Sequence, residues 1–204
     1  MKKNDELLTN YAELIVMAGS NLLSYLYDKE GLDLVQWLLS YVKSDDSNYS
    51  KEYIIDKVEN GLVKGVILAL PAIEVAKKSR NELKVVRRNN KNTQISSVNI
   101  LKWLWRMRIG FHFPRINYDE YYISELAVYE NYRGQGIGEY LLLKAEEKAR
   151  EHGYMKMSLF VDIGNDSVKY LYEKNGYKVE CIKRFPRSYH KHNLLGFYKM
   201  VKDI

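Results

Sequence analysis

Three glycines at alternate positions, Gly134, Gly136 and Gly138, stand inside the stretch NYRGQGIGEYLLLKAEEKAREHG, residues 131–153. A β-prone run, residues 122–129, stands in front of them, and a long helical pattern starts near Gly136. This succession of strand, glycine turn and helix constrains the fold more than any other part of the chain. A helix N-terminus carries unpaired N–H groups and a partial positive charge. Glycines leave the backbone bare, so an anion approaches it closely. The stretch therefore predicts an anion site between a strand and a helix. Two familiar phosphate motifs do not fit. A dinucleotide fingerprint starting at Gly134 needs glycine where Glu139 stands, and no G-K-[ST] follows the glycines.

The other elements follow from periodicity. Helical spacing marks residues 7–27 and 32–42. Two β-prone runs flank Asn60-Gly61, a pair that predicts a type I′ hairpin with positive φ at both residues. Residues 72–88 read as a basic helix, "NNKN" breaks it, and a second helix covers 95–109. Gly153 is expected to end the long helix in a left-handed conformation. "MKMSLFV" reads as a strand with Met155, Met157, Leu159 and Val161 on one face. A short helix over 165–174, capped by Asn165 or Asp166, precedes strands near 177–183 and 194–201. The order is a mixed α/β (α+β) sheet with helices on its faces, in one domain of 204 residues with a helical insert at 71–118.

Composition narrows the class. Apolar residues make up 46%, enough for a core, and no run approaches the roughly 18 apolar residues of a spanning helix. The N-terminus "MKKNDELL" lacks a signal-peptide core, and one cysteine makes no intrachain disulfide. With four scattered histidines, no metal site is expected. A soluble, cytoplasmic protein is the expectation. The net charge of +6 is uneven: residues 71–118 hold eleven Lys and Arg against Glu74 and Glu82, a net +9. Such a segment attracts phosphate, anionic substrate or anionic lipid.

Arg133, Gly136 and Gly138 spell R-x-x-G-x-G. With the strand ending in "LAV" before it and "NDSVKYLYEKNGY" after it, residues 123–177 resemble the GNAT superfamily of acyl-CoA-dependent N-acetyltransferases. The resemblance implies a central twisted sheet with two splayed parallel strands, residues 125–129 and 156–161, parted by a bulge near Leu126–Val128. It implies that the backbone of Arg133, Gly134, Gln135, Gly136, Ile137, Gly138 and Glu139 holds the pyrophosphate of acetyl-CoA. Leu126, Ala127, Val128 and Asn165 would line its pantetheine arm, with the Val128 N–H on the thioester carbonyl. The family's usual first strand is missing or very short, because the helical pattern starts by Asp5.

The implied reaction is direct attack of an amine on the thioester. Tyr172 matches the family's frequent general acid and also lies against the cofactor. The alternative for Tyr172 is packing on its short helix. Glu125 is the candidate base, directly or through water, or an ordinary strand-end carboxylate. Strand alternation puts Tyr122 and Ser124, candidate acceptor contacts, on the opposite face from Glu125. If the acceptor lies on that face, no strand carboxylate serves. His112 is a further candidate base.

The basic insert is expected beside the acceptor site, where it would disfavour polycations. The expected acceptor is then a small neutral or anionic amine, or a peptide N-terminus. Competing readings are an acyl-CoA sensor without turnover, a membrane-surface protein and a nucleic-acid binder, both of the latter through the insert. No recognisable nucleic-acid module is present. In "NILKWLWRMRIGFHF" the aromatic and basic residues suit an anionic membrane surface, or an apolar face packed in the core or in a homodimer.

Overall fold

The computed structural model describes residues 2–89 and 97–204. Helices α1 (Lys2–Tyr27) and α2 (Gly31–Val42) precede a hairpin of β1 (Ile54–Glu59) and β2 (Leu62–Pro71). Asn60 and Gly61 have φ of 52° and 77°, as a two-residue I′ turn requires. Helices α3 (Ala72–Asn89) and α4 (Ser97–Arg106), with a 3-10 turn Met107–His112, occupy the insert. The break expected at "NNKN" and the first residues expected for the second insert helix lie outside the described residues, apart from Asn89, which still belongs to α3. Then come β3 (Glu120–Val128), α5 (Ile137–Glu151), β4 (Lys156–Asp162), α6 (Asp166–Lys174), β5 (Lys178–Arg184) and β6 (Gly196–Asp203).

The six strands lie in the order β1-β2-β3-β4-β6-β5, with β3 and β4 the parallel pair. Central β2 is buried on both faces, which accounts for its unbroken apolar run Val66, Ile67, Leu68, Ala69 and Leu70. Val66 and Ala127 pack with α1 and α2 on one face. Ile67, Tyr121 and Ile123 pack with α5 on the other. Met157, Leu159 and Val161 join that second core, but Met155 stands before β4 and is exposed. Gly153 ends α5 at φ 79°, with Tyr154 N–H on the Ala149 carbonyl and Gly153 N–H on that of Arg150.

Pairing of β3 with β4 runs only from Glu120↔Lys156 to Ile123↔Leu159. A buried ion network closes this end. Lys199 Nζ lies 2.7 Å from both Glu120 and Glu180, and Lys156 reaches Glu180 at 3.3 Å. Beyond Ile123 the strands part. The sheet is thus pinned at one end and open at the other.

Candidate active site

The splay is set by one residue. Between β2 and β3, Leu68 pairs with Glu125 and Ala69 with Ile123, leaving Ser124 as an extra residue on β3. The bulge therefore sits at Ser124, two residues before the position expected at Leu126–Val128. An inserted residue breaks the two-residue alternation of a strand. Tyr121 and Ile123 face α5, and Tyr122 turns the other way, 5.2 Å from the ring of Phe160. Simple alternation would send Glu125 to the α5 face. Instead its carboxylate lies against Gly19 of α1, on the same side as Tyr122. This corrects the expectation that Glu125 opposes Tyr122.

A cleft of about 750 Å³ opens where the strands part. Its walls include Ser124, Glu125, Leu126, Ala127 and Val128 of β3, and Phe160, Val161 and Asp162 of β4. Arg133, Gly134, Gly136, Ile137, Gly138 and Glu139 close one end, and Asn165 and Tyr172 border it from α6. Met17 and Ala18 add a wall from α1. Two residues expected at the site do not line it: Tyr122 packs behind Phe160, and the Gln135 amide turns back to the Asn131 carbonyl at 3.3 Å. Asn165 caps α6, its Oδ1 accepting from the Val168 N–H.

The glycine loop has the features of an anion cradle. Gly134 and Gly136 have φ of 75° and 76°, a region where other residues are strained. A Cβ on either would meet no atom within 4 Å, so space is open beside the backbone. The first bond within α5 runs from the Tyr140 N–H to the Gly136 carbonyl. The N–H groups of Ile137, Gly138 and Glu139 thus have no partner within the helix. A pyrophosphate fits this surface. Just past β3, the Tyr129 N–H turns toward β2 and meets the Lys64 carbonyl at 3.0 Å. Successive N–H groups alternate, so that of Val128 turns toward the diverged β4.

Burial, and then the charge of Asp162, push the Glu125 carboxyl up to about 8. Burial also raises Asp162. Burial and the Glu125 charge raise the Tyr172 phenol, which stays protonated through the neutral range. Burial, followed by Glu125 and Tyr172, raises Tyr122. The carboxylate and the two phenols therefore form one electrostatic group.

Gly19 and Asp162 were not singled out by sequence. Gly19 interrupts α1 with φ −111° and ψ 24°. A Cβ there would stand 3.1 and 3.3 Å from the two Glu125 carboxylate oxygens. A glycine inside a helical pattern was the available signal. None of the insert's described residues lines the cleft, and Phe113 of the insert packs edge-on to the lining residue Phe160 at 6.3 Å. Some of its cations are used elsewhere: Lys77 pairs with Glu74, Lys78 with Glu52 and Arg106 with Asp28. His112 is tilted against Phe185 and edge-on to Tyr189, and it does not line the cleft.

Residues 84–177 match the model of the acetyltransferase (GNAT) family, which spans the glycine loop, the splayed strands and α6. A relative from Bacillus subtilis (strain 168), the uncharacterized N-acetyltransferase YdgE, is 33% identical over 81 residues, 40% of this chain and 49% of that protein. The chain spans about half the length of the curated relatives it matches. A crystal structure described as an acetyltransferase superposes with a TM-score of 0.69 at 20% identity, covering 98% of this chain and 96% of the other. A GNAT family acetyltransferase from Elizabethkingia anophelis, with acetyl-CoA bound, gives 0.51 at 14%, covering 94% and 89%. Both share the fold. No described helix is long and apolar enough to cross a membrane.

Proposed function

We propose that this chain transfers the acetyl group of acetyl-CoA to a primary amine, on a small molecule or at a peptide N-terminus, by direct attack. One observation carries the reading: the bare N–H array of the glycine loop and the Glu125–Tyr172 pair share a single cleft between parting strands. The N–H groups of residues 137–139 are the pyrophosphate donors. Acetyl-CoA supplies a thioester carbon to the amine. The Val128 N–H is the donor for its carbonyl oxygen as charge builds there, a type of contact worth roughly 3–4 kcal/mol. Glu125 takes the proton of the ammonium, whose own charge favours the ionised carboxylate as it arrives. Tyr172 gives its proton to the departing thiolate and is restored by the second proton of the attacking nitrogen, while Glu125 releases the first to solvent. A C–N bond forms, a C–S bond breaks, and free CoA leaves.

The decisive experiment pairs thermal shift with a thiol-release screen of amines, amino acids and peptides. Acetyl-CoA should raise the melting temperature by mass action, and an amine should release thiol. No shift and no calorimetric binding would sink the reading, whereas binding without thiol release from any acceptor leaves an acyl-CoA sensor. Gly136→Val should keep the fold by circular dichroism and weaken CoA binding by about tenfold or more, because a branched side chain fills the cradle and strains its φ. An unchanged dissociation constant would place the pyrophosphate elsewhere.

Gly19 is expected to position the base. In Gly19→Ala the methyl displaces the Glu125 carboxylate by a few tenths of an ångström, and kcat should fall on the order of tenfold. The acid limb of the pH–rate profile should move while KM for acetyl-CoA stays. A lowered kcat with an unmoved limb would mean that α1 acts through packing alone.

A further inference from the structure

Residues 83–118 and 181–202 contain no Asp or Glu, and they are the two longest acid-free runs of the chain. The fold sets them side by side. Ile109 and Phe113 of the first pack with Phe185, Leu194 and Phe197 of the second and its border. The His112 ring stands 5.8 Å from that of Tyr189. Helix α4 is anchored inward by Trp103, packed on the core of α1 and α2, and by Arg106, which pairs with Asp28 at 2.7 Å and lies over Tyr25. Its outer stripe is apolar. Leu101 and Trp105, one helical turn apart, are 65% and 63% exposed, Leu104 between them is exposed, and Phe111 beyond is 85% exposed. Surface helices normally turn such a stripe inward.

The same two runs carry exposed cations. Lys102, Arg108 and Arg115 from the first run, and Lys183, Arg187 and Lys191 from the second, are exposed, and none pairs with a carboxylate among the described residues. By contrast, Lys199 and Lys202 of the same second run are paired. We propose that this face docks on an anionic phospholipid bilayer. The interface of such a bilayer offers both things the face needs: an acyl boundary for Trp105, Phe111 and the leucines, and phosphates for the lysines and arginines. A second copy of the chain, meeting this face across a two-fold axis, would bring like charges together. Nucleic acid would match the cations but offers no apolar layer to Leu101 and Leu104. Docking is peripheral, and it does not depend on the reaction proposed above.

Vesicle flotation tests it, with phosphatidylcholine alone and mixed with phosphatidylglycerol, at low and high salt. The protein should float with the anionic vesicles only, less at high salt. Its tryptophan emission should shift to the blue, and Trp105→Ser with Phe111→Ser should abolish the shift and lower partitioning by at least about tenfold. Neutralising Lys183, Arg187 and Lys191 together as Gln should lower it by on the order of 10²-fold. Unchanged circular dichroism and melting temperature show that the exposed substitutions leave the fold intact. Absence of flotation overturns the proposal. So does tight RNA binding that survives the aromatic substitutions. A dimer in light scattering that those substitutions dissolve assigns the face to a second copy, and also overturns it.

Discussion

Glu125→Gln is expected to lower kcat by about 10²- to 10⁴-fold, the range of a lost general base. Its carboxyl is pushed up to about 8 by burial and by the charge of Asp162. In the wild type, kcat/KM should therefore climb as pH rises through about 8, and the amide should flatten that limb. Acetyl-CoA affinity should hold, since the pyrophosphate cradle lies on the glycine loop. Stability should move the other way. A carboxyl whose folded value lies above its unfolded one binds more protons when folded, so it costs stability as pH rises from the ordinary carboxylate range to about 8. The penalty is complete above that and absent below the ordinary range. Water in the cleft softens it, leaving roughly 1–2 kcal/mol, or about 2–8 °C for a chain of this size. Glu125→Gln should thus melt higher than wild type at pH 9 and equally at pH 4. An equal kcat would remove Glu125 from the chemistry, and an equal melting temperature at both pH values would remove its burial cost.

How much of this was legible follows the range of each interaction. The Asn60-Gly61 turn, the Gly153 stop and the glycine loop depend on a few neighbouring residues, and each took the conformation its residues require. The order of helices and strands also follows from patterns along the chain, whereas the parting of the parallel pair was implied by the family resemblance. The face of Glu125 did not. Alternation is reliable only while a strand is regular, and the extra residue at Ser124 exists because β2 pairs with β3 in that register. No window around Glu125 contains β2. The contact of Gly19 with Glu125 spans more than a hundred residues, and the Coulombic link from Asp162 to Glu125 joins two different strands. The insert shows the same limit for charge. Its net +9 is a property of sequence, but Lys78 and Arg106 pair with Glu52 and Asp28, none of which lines the cleft. Periodicity found the apolar stripe of α4 and could not tell which side of the helix turns outward.

Tyr172→Phe separates the proton donor from the packing ring. Tyr172 is buried on α6, borders the cleft and packs edge-on to Tyr177 with centroids 5.6 Å apart. Among the described residues no group hydrogen-bonds its hydroxyl. Phenylalanine keeps the ring and the edge contact, so melting temperature and CoA affinity should change little. Turnover should fall by about 10²-fold, because the thiolate then leaves without a positioned donor. The pH dependence makes the assignment sharper. Burial and the Glu125 charge raise the phenol above its ordinary value near 10, so it should not ionise in the working range. The wild type should show no alkaline limb from Tyr172 up to about pH 10, and the mutant should keep the acid limb that belongs to Glu125. The rate must be read by single-turnover quench, so that slow product release does not hide the chemical step. A mutant rate within about twofold of wild type would make Tyr172 a packing residue, and the thiolate would then take its proton from water.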